Sequence, residues 1–128
     1  MLSERDIAQI GQRIVGQCRP LAVGYFGSYA IGTAHHGSDL DLFIIMRTNA
    51  PPAARTLAVL RRLGGVLHPM DIHVFTPQEI EAALDEYLSF GWIVAHQAIY
   101  LHVAPEAEAL VAKIGARTQA AHIATNTE

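Results

Sequence analysis

Apolar positions recur along the chain with two different periods. At the start, Ile7, Ile10 and Ile14 fall on one side of a helix that Ser3 can cap and Pro20 ends. Further on, short apolar runs are bounded by glycine, proline and polar residues, a pattern typical of strands. The pattern predicts helices at 3–18, 29–32, 53–63, 77–88, within 89–97 and at about 105–120, and strands at 21–26, 39–46, 70–76 and 98–103. In the helix at 53–63 it places Leu57, Leu60 and Leu63 on the inward face and Arg55 towards solvent.

The second predicted strand is apolar on both faces, which is typical of a central strand covered on two sides. It begins with two aspartates, Asp39 and Asp41, whose spacing of two residues places them on the same face. Carboxylates so close together repel each other and raise each other's pKa unless a positive charge lies between them. Mg²⁺, a hard ion that prefers oxygen ligands, is the cation that best suits this pair.

A third acid and a small-residue turn add to this pattern. Asp71 lies at the start of the third predicted strand, between Met70 and Ile72. Gly27 and Ser28 follow the first strand, and the backbone N–H groups and hydroxyl of such a turn can hold phosphate oxygens, helped by the dipole of a short helix that begins there. The sequence therefore predicts a site for metal-bound phosphates, built from this turn and three carboxylates that converge from two strands.

The order and spacing of these elements resemble those of a known family. Gly27-Ser28, ten intervening residues and Asp39-x-Asp41 are similar to the signature of the nucleotidyltransferase superfamily. The family's third acid is expected between hydrophobic residues on a later strand, and Asp71 fits that place. Three elements in the right order make the resemblance more specific than an isolated Asp-x-Asp.

The fold implied by the resemblance is α+β (α/β two-layer), with a small mixed β-sheet flanked by helices. A single nucleotidyltransferase domain is expected over residues 1–128, with the motif region at 26–76. Its last helix, at about 105–120, is expected to be followed by a frayed tail. The length of 128 residues agrees with one domain.

The resemblance also implies a reaction in which an NMP, AMP above all, moves from an NTP to an acceptor hydroxyl with release of pyrophosphate. The expected catalytic residues, which would also hold two Mg²⁺ ions in the manner of two-metal sites, are Asp39, Asp41 and Asp71. Asp71 would complete the ion nearer the acceptor or take the acceptor's proton. The residues expected to bind the nucleotide, ATP above all, are Gly27, Ser28 and Ser38.

The acceptor is not identified by the residues themselves. Minimal nucleotidyltransferases are commonly paired with small helical HEPN-type proteins as antitoxin and toxin, so the resemblance implies a tyrosine of such a partner as the acceptor. Two alternatives stay open. One is an enzyme that acts on a small hydroxylated molecule such as an aminoglycoside, as a homo-oligomer with a shared site. The other is a non-catalytic binding subunit that neutralises a partner by contact.

Composition narrows the classes of partner and compartment. A formal net charge of −3 gives no general attraction to nucleic acid, which weighs against an RNA-tailing enzyme. A hydrophobic share of 51% is ample for a core, and no apolar run is long enough to span a bilayer. The single cysteine, Cys18, permits no internal disulfide, and we expect a cytoplasmic protein.

The roles of four further polar residues stay open. His35 and His36, in the loop before the first acid, are either solvated or functional. His73, two residues beyond Asp71, is either a half-buried histidine bonded to a neighbour or a group that orients Asp71. Arg47, at the far end of the second strand, is assigned no role.

Overall fold

Four strands form one mixed sheet in the computed structural model, which describes residues 1–66 and 68–126, with the backbone alone for 120–126. The strands are β1 (Ala22–Phe26), β2 (Leu40–Ile45), β3 (Met70–Phe75) and β4 (Ile99–Val103). Their order across the sheet is β3-β2-β1-β4. β1 is antiparallel to both β2 and β4, whereas β2 is parallel to β3. The small mixed sheet expected from the sequence is therefore confirmed.

Helices alternate with these strands close to where the apolar periodicity predicts them. They are α1 (Glu4–Cys18), α2 (Ser28–Ile31), α3 (Pro52–Arg62), α4 (Pro77–Ala83), α5 (Phe90–Gln97), a 3₁₀ turn (Pro105–Ala107) and α6 (Glu108–Asn126). Ser3 and Thr76 each form a capping box, so local polar signals fix where α1 and α4 begin. None of the helices in the described part of the chain is long and apolar enough to cross a membrane.

Two helices end at different places from those predicted. α4 stops at Ala83 and not near residue 88, because residues 84–88 form turns and a bend, in which Leu88 has a positive φ of 61°. The backbone of α6 stays helical to Asn126, past the predicted end near residue 120. Alanine, which recurs in that segment, has the highest helix propensity of all residues. The remainder of the predicted frayed tail, 127–128, lies outside the described residues.

Apolar side chains pack on both faces of the sheet. One core lies beneath α1 and α3 and includes Ile14 and Leu42. The other lies beneath α4, α5 and α6 and includes Phe43, Val94 and Ile114. Because neighbouring residues of β2 belong to opposite cores, the prediction that this strand is covered on two sides is confirmed.

α3 packs on the sheet through a different face from the one predicted. Val59 and Leu63 are buried, whereas Leu57 and Leu60, predicted to face inward, are 48% and 41% exposed. Arg55, predicted to face solvent, has a side chain that is only 9% exposed. The reason is that α3 lies along the free edge of β3, where backbone acceptors need donors.

Two side chains of α3 supply those donors. Thr56 Oγ1 donates to the carbonyl of Ile72 at 3.0 Å. The Arg55 guanidinium donates to the carbonyl of Val74 at 3.2 Å and forms an ion pair with Glu79 at 2.6 Å. These bonds occupy acceptors of an edge strand that would otherwise be open to pairing with another chain.

Candidate functional site

The parallel pairing of β2 with β3 brings two of the predicted acids together. Asp41 and Asp71 are direct partners in the register, one step after Leu40 and Met70. Side chains alternate between the faces of a strand, so directly paired residues of adjacent strands point to the same face. For this pair it is the face packed against α4 and α5, because Phe43, two residues after Asp41, belongs to that core.

The surroundings of Asp41 disfavour its negative charge. Burial is the largest cause that raises the pKa of this carboxyl, the charge of Asp71 raises it further and Asp39 adds to the rise, whereas His73 opposes it. Among the described side chains, no lysine or arginine forms an ion pair with any of the three acids. Crowded carboxylates without such an ion pair fit a divalent cation by their chemistry, since a bound cation would remove their repulsion.

Asp39 is placed differently from the other two acids. It precedes β2 and is exposed, because the ladder with β3 begins only at Leu40. Within the described side chains, no three His, Cys, Asp or Glu residues stand close enough together to hold a metal ion as they are placed. The structure thus brings Asp41 and Asp71 side by side but does not gather all three predicted acids into one cluster.

Gly27 lies directly beneath the Asp41 carboxylate. Its φ of +71° is a conformation that side-chain-bearing residues rarely adopt, and a Cβ built on it would collide with Asp41 Oδ2. Its N–H donates to Oε1 of Gln97 at 3.0 Å. Glycine at this position therefore allows the Asp41 carboxylate to lie against the backbone of the turn. The Gly27 N–H is already occupied by its bond to Gln97.

Of the two serines predicted to bind the nucleotide, one follows this turn and the other directly precedes Asp39. Ser28 is the first residue of α2 and follows Gly27 directly. Ser38 Oγ accepts a hydrogen bond from the backbone N–H of His35 at 3.0 Å, and its carbonyl lies 3.2 Å from Nε2 of His68. Ser38 therefore stabilises the loop that precedes β2.

His73 contacts the third acid and two phenylalanines. Its Nε2 lies 3.2 Å from Asp71 Oδ2. Its ring centroid is 4.6 Å from that of Phe90 and 5.7 Å from that of Phe26. The imidazole thus contacts the Asp71 carboxylate from a position that two aromatic rings restrict.

The other three residues without an assigned role make contacts at the surface of the protein. His35 Nδ1 lies 2.6 Å from the carbonyl of His36, and both side chains are in an exposed loop. Arg47 forms an ion pair with Glu106 at 3.3 Å, with side chains 67% and 66% exposed. A pair so open to water contributes little to stability.

A groove of about 760 Å³ opens beside Asp71, along the free edge of β3. Asp71 and His73 lie in it, and α3 and the segment from α4 to α5 form its sides. Most of its surface is apolar, and Arg55 and Glu79 within it are bonded to each other. The groove gives another molecule access to Asp71 from the side that faces away from β2.

Comparison with known families agrees with the signature in the sequence. The family model described as "Nucleotidyltransferase domain" matches residues 5–97, a segment that contains the Gly27-Ser28 turn and all three acids. A search of curated proteins finds no match to this chain.

Two crystal structures of toxin–antitoxin proteins share the fold. One is described as a toxin–antitoxin with AMP-PNP; it has a TM-score of 0.55 and 20% identity, and the alignment covers 98% of this chain and 94% of that one. The other is described as a mutant, D39E and D41E, of the toxin–antitoxin MntA-HpeT; it has a TM-score of 0.54 and 18% identity over the same shares of the two chains.

Proposed function

The chain belongs to the nucleotidyltransferase domain family, and from that premise we propose that it transfers AMP from ATP to a tyrosine hydroxyl of a HEPN-type helical partner protein. In this role it would act as the antitoxin of a toxin–antitoxin pair in the cytoplasm. The observation that supports the chemistry most is the register that sets Asp41 beside Asp71, with Gly27 beneath the Asp41 carboxylate.

The acids would bind the metal ions, and the turn would bind the phosphates. Asp39, Asp41 and Asp71 would hold two Mg²⁺ ions, which would neutralise the triphosphate and stabilise the attacking and leaving oxygens. Asp39 is on an exposed segment ahead of β2, and its carboxylate would complete the ion site at the Asp41–Asp71 pair. The Ser28 hydroxyl would donate to the phosphates, and Ser38 would keep the loop before Asp39 in place.

The transfer itself would need one base and one entry path. Asp71 lies in the groove and would accept the proton of the acceptor hydroxyl. The acceptor oxygen would attack the α-phosphorus, the bond from that phosphorus to the β-bridging oxygen would break, and pyrophosphate would leave. His73 would hold the Asp71 carboxylate in position through its contact at 3.2 Å.

Two observations support a tyrosine of a partner protein as the acceptor: the descriptions of the structural neighbours and the open groove. The two structural neighbours are described as toxin–antitoxin proteins, one with AMP-PNP, which supports both ATP as the substrate and a partner protein as the acceptor. The two substituted aspartates of the second neighbour are two residues apart, the spacing of Asp39 and Asp41 in this chain. An open groove of about 760 Å³ can admit a tyrosine carried by another protein.

The volume of the groove also suits a small molecule, which is the second candidate acceptor. To separate the candidates, the chain is incubated with Mg²⁺ and ATP labelled at the α-phosphate, with either the protein encoded by an adjacent gene or an aminoglycoside. We expect label on a tyrosine of the protein. Label on the aminoglycoside alone would contradict the proposed acceptor. A stable complex without any transfer would support the third candidate, a binding subunit that acts by contact.

A further inference from the structure

The turn that carries Gly27 is bonded to a residue far away in the sequence. Gln97, the last residue of α5, accepts the Gly27 N–H through its Oε1 at 3.0 Å. The two residues meet because β1 and β4 are antiparallel, with Tyr25 opposite Ile99. Gly27 directly follows β1 and Gln97 lies two residues before β4, so this pairing brings them to the same end of the sheet.

This hydrogen bond acts where the turn and the acids meet. Gly27 has φ +71° and ψ −153°, and its Cα faces the Asp41 carboxylate so closely that no side chain fits between them. Glycine reaches this region without strain but reaches many others as readily, so a bond to its amide helps to select this one conformation. Ser28 directly follows Gly27, so the backbone conformation of the turn also sets the position of Ser28.

We propose that Gln97 is a positioning residue for nucleotide binding, because it fixes the Gly27 turn in the conformation that presents Ser28 to the phosphates and leaves room for Asp41. The inference rests on the proposed function. Because the Gly27 N–H donates to Gln97, the phosphates would be held by Ser28 and not by the Gly27 N–H. Without an acceptor at position 97, the turn would sample other conformations and the triphosphate would have to order it on binding.

Two substitutions separate the acceptor from the shape of the side chain. Gln97→Met has a similar length but replaces the amide oxygen with a thioether sulfur, which is only a weak acceptor, whereas Gln97→Glu keeps an oxygen for the Gly27 N–H. Gln12→Met, on the exposed side of α1, is the matched control. Amide exchange of Gly27, followed by NMR in labelled protein, reports the hydrogen bond directly. Calorimetric titration with ATP and Mg²⁺ reports nucleotide binding.

We expect Gln97→Met to speed Gly27 exchange and to raise the Kd for ATP with Mg²⁺ about tenfold, with little change in Tm. Gln97→Glu should keep the Gly27 amide protected, and Gln12→Met should match the wild type in both measurements. Unchanged ATP affinity in Gln97→Met would overturn this inference alone. Failure of the wild-type chain to bind ATP with Mg²⁺ would overturn it together with the proposed function.

Discussion

A methyl group at position 27 should damage the site in two separable ways. Gly27→Ala would place a side chain at φ +71° and ψ −153°, a region that is essentially restricted to glycine and costs other residues about 1–3 kcal/mol. For a domain of this size, each kcal/mol lowers the Tm by about 4 °C, so the expected loss is about 4–12 °C. The new Cβ would also push the Asp41 carboxylate away from its present place.

Gly32→Ala is the control for the backbone part of this effect. Gly32 also has a positive φ, of +83°, but a Cβ there would meet no atom within 4 Å. Its left-handed conformation should cost alanine about 1–2 kcal/mol, without disturbing any acid.

Thermal unfolding and calorimetric titration with ATP and Mg²⁺ then separate strain from function. We expect both variants to lose stability, and Gly27→Ala alone to bind ATP at least about tenfold more weakly. Equal ATP affinity in the two variants would refute the conclusion that Gly27 is needed to make room for Asp41.

Three further predictions concern charge, the β3 edge and the histidine. The pKa of Asp41 is raised above the ordinary value of 3.8, so the folded chain holds this proton to higher pH than the unfolded chain and loses stability as pH rises through that window. Asp41→Asn should therefore raise the Tm at pH 7.5, and this rise in Tm should vanish at a pH below 3.8. An equal rise in Tm at both pH values would show that the rise does not come from the charge of Asp41. Arg55→Met removes a part-buried guanidinium that donates to Val74 O and to Glu79, and should lower the free energy of unfolding in urea by about 2 kcal/mol. Arg47→Met removes an exposed ion pair and should change the free energy of unfolding by less than about 0.5 kcal/mol. Similar losses of stability in the Arg55 and Arg47 variants would be evidence that the contacts of Arg55 at the β3 edge do not stabilise the fold. His73→Phe should lower kcat for AMP transfer about tenfold with little change in Tm, since it removes the contact with Asp71 and keeps an aromatic ring; an unchanged kcat would show that the contact has no positioning role.

Local chemistry in the sequence accounts for much of the fold. The capping boxes at Ser3 and Thr76 use residues that are neighbours in the chain, so the starts of α1 and α4 could be predicted. The alternation along β2 likewise requires only the two-residue period of a strand. The flanking Met70 and Ile72 indicate that Asp71 opens a strand, and the parallel register of β2 and β3 is the physical reason that it lies beside Asp41.

Features that depend on long-range pairing could not be predicted in the same way. The inward face of α3 is set by the open edge of β3, which draws Arg55 towards the sheet and leaves Leu57 exposed. The bond from Gly27 to Gln97 depends on how β4 aligns with β1, and no local pattern around Gln97 indicates it. Amphipathic periodicity identifies a helix, but the partner surface decides which of its residues are buried.

Titration of ATP into the chain with and without Mg²⁺, for the wild type and for Asp41→Asn, tests most directly whether the paired aspartates form the metal–nucleotide site. We expect the wild type to bind ATP only when Mg²⁺ is present, and Asp41→Asn to lose that binding while it remains folded. Binding that needs no Mg²⁺, or that is equally strong in Asp41→Asn, would contradict the assignment of this site.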